Sequence, residues 1–323
     1  VTKWAVQIND INSIPSILRQ AVVQLKHGRL GPVLVEMPRD IMSMEFPSHE
    51  IAYTPVQRKL SVAAPEDVRD LIKAISTTSR PIIVAGQGIL YSEATPELIE
   101  FSELAHIPVM TTLAGKSAFP ENHPLALGTG GLSRTLMVRR FLASADFALG
   151  IGTSFTRNLF TTPMPENIVL GQVTNCAEDL GKDYEVAFGA IGDARLVLQQ
   201  MIDEYKRQNG VKNQRDGNAV MKEIASTREE FSAEWEPRHT SNEVPISPYR
   251  VFRELENAFN VENTIITHDS GYPRDQLVPM WRSLSPRGYI GWGKSTQLGY
   301  GLGLSIGAKL ASPEKQVINI MGE

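Results

Sequence analysis

Short apolar runs alternate with amphipathic helical patterns through the middle of this chain. The runs are rich in Val, Ile, Leu and Ala and lie at Pro81–Ala85, Ile107–Thr112, Asp146–Ile151, Asn167–Val173 and Val186–Ile191. Helical spacing of apolar residues occurs at Pro65–Ile75, Thr95–Ala105, Arg134–Ala143 and Asp193–Tyr205. Strands that are separated by helices pair in parallel, because the chain returns to the same end of the sheet through each helix. The sequence therefore predicts an α/β fold, with doubly wound parallel sheets and helices on both faces.

The same alternation occurs at both ends of the chain, beyond two irregular stretches. Its segments are helix Ile14–His27, a strand within Gly31–Pro38, helix Tyr249–Phe259, strand Thr264–His268, helix Leu302–Leu310 and strand Gln316–Met321. We expect a multi-domain protein with a domain remnant at 1–45, a linker at 46–64, a complete α/β domain at 65–206, a second linker at 207–245 and part of another α/β domain at 246–323. We expect a solvent-bridging helix near Ala219–Trp235 in the second linker. Because the terminal strands need partners that the sequence does not supply, we expect truncation at both ends.

Composition excludes several classes of partner. No apolar run approaches the roughly 20 residues that cross a bilayer. A net charge of −4 with no block of Lys or Arg argues against a nucleic-acid surface. The single cysteine, Cys176, can form neither an internal disulfide nor a thiolate metal cluster, so we interpret it as a structural thiol. We therefore expect a cytoplasmic protein with a small-molecule substrate and with no membrane or nucleic-acid partner.

Three segments near the C-terminus carry candidate chemistry. The loop that begins Asp269-Ser-Gly-Tyr-Pro273 follows a strand and can offer backbone N–H groups to phosphate oxygens; the alternative is a turn that needs Gly271 only for its positive φ. Glycines recur through 291–307 around the bulky Leu298, and they allow close approach either to a ligand or to another helix. The last strand ends in Gly322-Glu323, where a carboxylate can ligate a divalent cation or stand by chance.

Other motifs are weaker. The sequence contains neither GxGxxG after a strand nor GxxxxGK[ST], so the usual dinucleotide and P-loop fingerprints are absent. Gly86-Gln-Gly88 follows a strand and is either a nucleotide-binding turn or simply a tight turn. His106, His123 and His268 share no metal-ligand spacing, so we predict that they are capping or packed residues.

The three C-terminal segments together resemble the start of the diphosphate-binding domain in thiamine diphosphate enzymes of the acetolactate synthase superfamily. The likeness extends over nearly the whole chain. Gly31-Pro-Val-Leu-Val-Glu-Met-Pro-Arg-Asp40 resembles the end of the family's pyrimidine-binding domain. Ile107–Pro124 and Asp146–Gly152 resemble its central domain. The resemblance implies that 65–206 is that central domain and that 246–323 begins the diphosphate-binding domain.

The resemblance also implies a set of site residues. These are Ser270, Gly271, Tyr272, Pro273, Thr296, Gln297, Leu298 and Gly322 for the cofactor, and Glu323 for the metal. Tyr272 and Pro273 replace the Gln-His of acetolactate synthases, so their side-chain contacts differ. Leu298 replaces a Met that wedges beneath the bent cofactor, and a branched aliphatic can fill that role. Glu323 replaces the Asp that opens the family's metal motif and is one methylene longer.

The activity implied is decarboxylation of a 2-oxo acid followed by carboligation, with thiamine diphosphate and Mg²⁺, in a homodimer or homotetramer. FAD is doubtful, because Gly150–Arg157 stands where flavin-containing members carry Asp-Asp-Arg; Gly86, Gly88 and Gly152 would contact any nucleotide. The family's catalytic glutamate is not in this chain, so we expect no catalytic residue here and no turnover by the chain alone. The alternatives are another lyase or decarboxylase of the superfamily, or a non-catalytic nucleotide-binding or structural module.

Overall fold

The computed structural model describes residues 2–45, 54–209, 215–291, 293 and 297–322. The chain divides into two compact units, Val1–Ser61 and Val62–Glu323. All described strand pairs are parallel, and α-helices connect several of the successive strands, which confirms the predicted α/β class. Within these ranges, no helix has the length and apolar character needed to cross a membrane.

The first unit contains a parallel strand pair joined by a helix. β1 (Trp4–Gln7) pairs with β2 (Val33–Glu36), α1 (Ile14–Lys26) connects them, and α2 (Arg39–Met42) follows β2. The sequence predicted α1 and β2 but not β1. In β1, half-buried and exposed residues alternate over only four positions, a pattern too short to stand out in the sequence.

The second unit contains a larger parallel sheet, here called the central sheet. Its strands are β3 (Pro81–Ala85), β4 (Val109–Thr111), β5 (Ala126–Thr129), β6 (Phe147–Ile151), β7 (Val169–Thr174) and β8 (Phe188–Ile191), in spatial order β5-β4-β3-β6-β7-β8. Its helices are α3 (Pro65–Thr77), α4 (Gln87–Tyr91), α5 (Thr95–Ala105), α6 (Leu136–Ser144) and α7 (Ala194–Asn209). The strand order reverses between β3 and β6, so the topological switch point of this sheet lies at their carboxyl ends.

Both faces of the central sheet are buried. Along β3, Ile83 and Ala85 join the core that includes α3, α5 and α7, whereas Ile82 and Val84 join the core that includes α6. A strand covered on both faces is a continuous apolar run in the sequence, which is why β3 and β6 were predictable. α3 begins at Pro65 as its sequence predicts, and its apolar stripe of Val68, Leu71, Ile72 and Ile75 is buried.

The helix predicted to bridge solvent is instead packed into the second unit. α8 (Gly217–His239) buries Ile224 in the core shared with α6, and its Trp235 ring lies 4.8 Å from Tyr249 of α9 (Pro248–Ala258), measured between centroids. The prediction was wrong because Arg228 interrupts the apolar stripe. That side chain is part-buried and donates to the Ala126 carbonyl oxygen at 2.8 Å, so it belongs to the packed face despite its charge.

A smaller parallel sheet, here called the C-terminal sheet, follows α9. It has β9 (Thr264–His268), β10 (Tyr289–Ile290) and β11 (Gln316–Ile320) in the order β10-β9-β11, with α10 (Tyr272–Met280) and α11 (Tyr300–Ala311). The sequence predicted β9, β11 and α11. It did not predict α10, because Pro273 and Pro279 obscure a helical pattern, or β10, which is two residues long. Short 3-10 helices lie at Ile11–Ser13, Leu113–Gly115, Ala177–Asp179 and Val261–Asn263.

Candidate functional site

The carboxyl ends of two neighbouring strands define the candidate site. β9 and β11 are adjacent in the C-terminal sheet, and their last residues, His268 and Ile320, are paired in register. The loop that starts at Asp269 and the segment that ends at Gly322 therefore leave the sheet side by side. In an open parallel sheet, this edge is where ligands bind.

Asp269 braces the loop after β9. It is buried, and its carboxylate accepts hydrogen bonds from the backbone N–H of Ser270 and, across the sheet edge, from the backbone N–H of Gly299 just before α11. This contact holds the start of α11 against the loop. The sequence indicated Asp269 only as the beginning of a loop; an acid directly after a buried strand was the available signal.

The loop itself is open at Gly271. Its φ is +78°, and no described atom lies within 4 Å of the position that a Cβ would occupy. α10 begins at the next residue, Tyr272, and the first N–H groups of a helix lack intrahelical acceptors. Because the helix dipole also favours negative charge there, this helix start can bind an anion. The Tyr272 side chain is exposed and lies outside the packed part of the loop.

The second predicted segment lies next to this loop. Gln297 and Leu298 are exposed immediately before Gly299, whose N–H contacts Asp269. Leu298 is 81% exposed, so an apolar side chain is accessible beside the start of α10. Thr296 lies outside the described residues. The structure thus brings Ser270, Gly271 and Leu298 to one edge of the sheet.

The predicted metal position is only partly described. Gly322 follows β11, and no described atom lies within 4 Å of a Cβ built on it. Glu323 lies outside the described residues. Among the residues that are described, no cluster of three or more His, Cys, Asp or Glu side chains forms a metal site.

A packed layer beneath the loop was not predicted as part of the site. His268 is fully buried, and burial followed by repulsion from Arg274 lowers the pKa of its imidazole. Its ring lies 5.3 Å from the Tyr289 ring, and a Cβ on Gly291 would come within 1.7 Å of His268 Nε2. Gly291 is therefore needed for close approach to the histidine, which is one origin of the glycine-rich run.

Arg274 anchors the first turn of α10. Its guanidinium group lies 4.7 Å from the centroid of the Phe160 ring, which belongs to the connection between β6 and β7. Nε and Nη2 donate to the Asp275 carboxylate at 2.7 and 3.1 Å. The start of α10 is thus anchored to the connection between β6 and β7, and the Asp275 carboxylate orients the guanidinium group.

The N–H groups of both glycines in the Gly86-Gln-Gly88 turn are already hydrogen-bonded within the protein. The Gly86 N–H donates to the Ile151 carbonyl and the Gly88 N–H to the Gly152 carbonyl, at N···O distances of 2.8 and 2.9 Å. A Cβ on Gly86 would lie 2.2 Å from Gly152 O. These glycines allow the ends of β3 and β6 to pack together, and this favours the tight-turn interpretation over nucleotide contacts at the switch point.

Two family models match the chain in the order of its sheets. The model described as "Thiamine pyrophosphate enzyme, central domain" matches residues 68–201. The model described as "Thiamine pyrophosphate enzyme, C-terminal TPP binding domain" matches residues 269–323. The first match covers the central sheet, and the second begins at Asp269, at the candidate site.

Related proteins match the whole chain. A probable acetolactate synthase large subunit from Methanococcus aeolicus is 30% identical over 100% of the chain and 56% of that protein. A glyoxylate carboligase from Escherichia coli is 26% identical over 100% of the chain and 54% of that protein. The chain spans about half the length of the curated relatives it matches. A crystal structure of benzoylformate decarboxylase from Polynucleobacter necessarius shares the fold, with a TM-score of 0.75 at 21% identity over 100% of the chain and 58% of that structure.

Proposed function

We propose, since this chain belongs to the thiamine pyrophosphate enzymes of the acetolactate synthase superfamily, that the protein decarboxylates a 2-oxo acid and transfers the remaining acyl unit to an acceptor. The observation that carries this proposal is the Asp269 brace. It places the open helix start after β9 and the exposed Leu298 side by side, next to the end of β11.

The residues at this edge fit the diphosphate group of thiamine diphosphate. The backbone N–H groups near Gly271 and Tyr272 lie at a helix N-terminus, and no described atom fills the space above Gly271. An anion with several oxygens is the ligand that such a helix start favours. We propose that Ser270, Gly271, Tyr272 and Pro273 form the loop that contacts the diphosphate.

Leu298 fits the ring end of the same cofactor. An exposed aliphatic residue next to the loop can support an aromatic ring and limit how far the cofactor extends. We propose the same contact region for Thr296 and Gln297. The chemistry supplied by bound thiamine diphosphate is stabilisation of the electron pair that remains when the 2-oxo acid loses CO₂. This chain binds and orients the cofactor and excludes water from it.

We further propose that Glu323, next to Gly322, would hold Mg²⁺, and that the ion would offset the negative charge of the diphosphate. Oxygen ligands of this type suit Mg²⁺. We also propose the domain division given above, a homodimeric or homotetrameric cytoplasmic enzyme, and no FAD. The occupied N–H groups of Gly86 and Gly88 support the last point.

Calorimetry on the full-length protein tests the proposal. Thiamine diphosphate added with Mg²⁺ is expected to release heat, and a panel of 2-oxo acids is then expected to yield CO₂ and a carboligation product. Leu298→Ala is expected to weaken cofactor binding by about tenfold, because roughly 1.5 kcal/mol or more of leucine burial is lost.

Leu310→Ala is the matched control. Leu310 is 79% exposed, much as Leu298 is, but it lies at the far end of α11. Its replacement is expected to leave binding unchanged. An absence of heat with both ligands present, in either order of addition, would refute the cofactor assignment.

A further inference from the structure

A buried ion pair in the central sheet faces the C-terminal sheet. Lys116 follows the 3-10 helix after β4, and its side chain is 1% exposed. Its Nζ atom donates to both carboxylate oxygens of Glu121, at 2.7 and 2.8 Å, and lies 3.4 Å from Thr129 Oγ1 at the end of β5. Glu121 is itself only 9% exposed. Both charges are therefore neutralised inside the protein.

Glu121 also binds the segment that follows α10. Its backbone N–H donates to the Ser283 carbonyl oxygen at 2.9 Å. The Ser283 backbone N–H donates back to Glu121 Oε2 at 2.8 Å. Ser283 lies three positions after Met280, the last residue of α10. These two reciprocal hydrogen bonds therefore fix the segment that follows the C-terminal end of α10. The N-terminal end of the same helix forms the candidate site.

Lys116 also contacts a strand of the C-terminal sheet. Its Nζ atom lies 5.3 Å from the centroid of the Tyr289 ring in β10. Tyr289 in turn packs against His268, the last residue of β9 before the Asp269 brace. The ion pair consequently contacts the segment just after α10 through Ser283 and the base of the loop through Tyr289.

A buried ion pair is a poor source of stability by itself, because desolvation of two charges offsets their attraction. Its directional hydrogen bonds do, however, define one arrangement of the groups they join. The exposed salt bridge between Arg287 and Glu93, at 3.2 Å, also crosses between the two sheets but lies in solvent, where such contacts contribute little.

We propose that Glu121 is a positioning residue whose hydrogen bonds with Ser283 set the orientation of α10 and its N-terminal loop relative to the central sheet, and that Lys116 neutralises its buried charge. The Glu121–Ser283 contact thereby controls how well the loop is arranged for its anionic ligand. The ligand part of this inference rests on the proposed function, whereas the orientation of α10 does not.

Three variants of the full-length protein separate the possible roles. K116M/E121Q removes both charges but keeps an oxygen that can accept from the Ser283 N–H. K116M/E121A removes the charges and that acceptor. Glu93→Gln removes the exposed bridge and is the control. Hydrogen exchange of the amides in α10, measured without cofactor, reports its anchoring; calorimetry with thiamine diphosphate and Mg²⁺ reports ligand binding.

We expect K116M/E121A to lose about tenfold or more in α10 protection and in cofactor affinity. We expect K116M/E121Q and Glu93→Gln to stay within about threefold of wild type in both. Equal protection of α10 in K116M/E121A and K116M/E121Q would overturn the inference. So would a uniform loss of protection over the whole chain with unchanged cofactor affinity, since that describes a general stability role.

Hydrogen exchange of the wild-type protein tests the inference in two further cases. If K116M/E121A does not fold, wild-type exchange still tests the anchoring: the Glu121 and Ser283 amides must open together with α10, and independent opening refutes it. If wild type binds no cofactor, the proposed function fails, while the exchange data alone support or refute the positioning role.

Discussion

The carboxylate of Asp269 accepts a hydrogen bond from the backbone N–H of Gly299. The two carboxylate oxygens lie 3.1 and 2.9 Å from the Gly299 nitrogen. The same carboxylate accepts the Ser270 N–H at 2.7 Å. One buried acid therefore joins the loop after β9 to the start of α11. Because these residues lie 30 positions apart in sequence, the arrangement of the site depends on this contact.

Asp269→Asn is expected to weaken cofactor binding by about tenfold or more. The amide loses the negative charge, and its NH2 group replaces one of the oxygens that accept from these two N–H groups. Hydrogen bonds to a charged group contribute roughly 1.5–3 kcal/mol. Calorimetry with thiamine diphosphate and Mg²⁺ measures the change. Asp216→Asn is the control, because Asp216 caps α8 through the Ala219 N–H and Asn caps a helix equally well. Equal affinities in the two variants would contradict a bracing role.

Glu121→Gln is expected to change how stability depends on pH. In the variant, the free energy of unfolding should begin to increase at a lower pH than in wild type. Burial lowers the pKa of Lys116, while Glu121 and, more weakly, Glu256 oppose that shift. Without the carboxylate the pKa of Lys116 falls further, so the folded state releases a proton that the unfolded state keeps. Stability then increases as pH rises through the lowered value, by up to about 1.4 kcal/mol per pH unit.

The other groups near Lys116 do not reverse this sign. Burial and the Glu121 charge raise the pKa of Tyr289, so removal of that charge lowers it and favours folding at high pH. Burial also lowers the pKa of Arg228 and the Glu121 charge opposes this, so removal of that charge acts on Arg228 in the same direction as on Lys116. Urea unfolding between about pH 7 and pH 9.5 measures the effect. K116M/E121Q is the control and should lack the added slope; parallel curves for Glu121→Gln and wild type would contradict the prediction.

His268→Gln is expected to reduce the acid sensitivity of the protein. Burial and then Arg274 lower the pKa of His268, although its Nδ1 contact with the Asp269 carbonyl oxygen, at 2.9 Å, opposes this. The folded state therefore stays neutral when the unfolded state binds a proton. Stability is fully present above the ordinary value of about 6.5 and falls as pH drops toward the lowered pKa, by up to about 1.4 kcal/mol per pH unit.

Chemical denaturation between about pH 7 and pH 5 tests this expectation. The acidic neighbours Asp269 and Asp275 favour the charged form, so they moderate the effect without changing its sign. Tyr289 packs on the same ring and stays neutral, since burial raises its pKa. The wild-type slope should exceed that of the variant over this range. Indistinguishable slopes would show that His268 does not titrate on unfolding.

Gly88→Ala is expected to destabilise the protein by roughly 1–3 kcal/mol, because a Cβ there would lie 2.6 Å from the Gly152 Cα in a closely packed turn. Gly307→Ala is the matched control in α11, where no described atom lies within 4 Å of the new methyl group. Alanine in a helix is favoured over glycine by about 0.5–1 kcal/mol, so this change should be neutral or stabilising. Thermal or urea unfolding distinguishes the two, and similar losses in both would contradict the close-packing account.

The sequence predicted most accurately those strands that are buried on both faces of a sheet. β3 and β9 were predicted with their observed ends, because β3 is a run of apolar residues and β9 is rich in β-branched residues, and neither pattern needs a partner strand to be recognised. α8 was misassigned, because the burial of Arg228 against the Ala126 carbonyl depends on a distant strand. Of the candidate site, Ser270, Gly271 and Leu298 came from resemblance; their proximity came from the Asp269 contact.

The amino-acid sequence by itself determined the α/β class, most of the helices and strands, and the family motifs. These follow from periodicity and from short-range residue patterns, which are properties of neighbouring residues. Tertiary structure alone decided that β9 and β11 are adjacent, that Asp269 joins Gly299, and that the Lys116–Glu121 pair reaches Ser283. Those contacts unite residues from distant parts of the chain, and their formation depends on how whole sheets pack together.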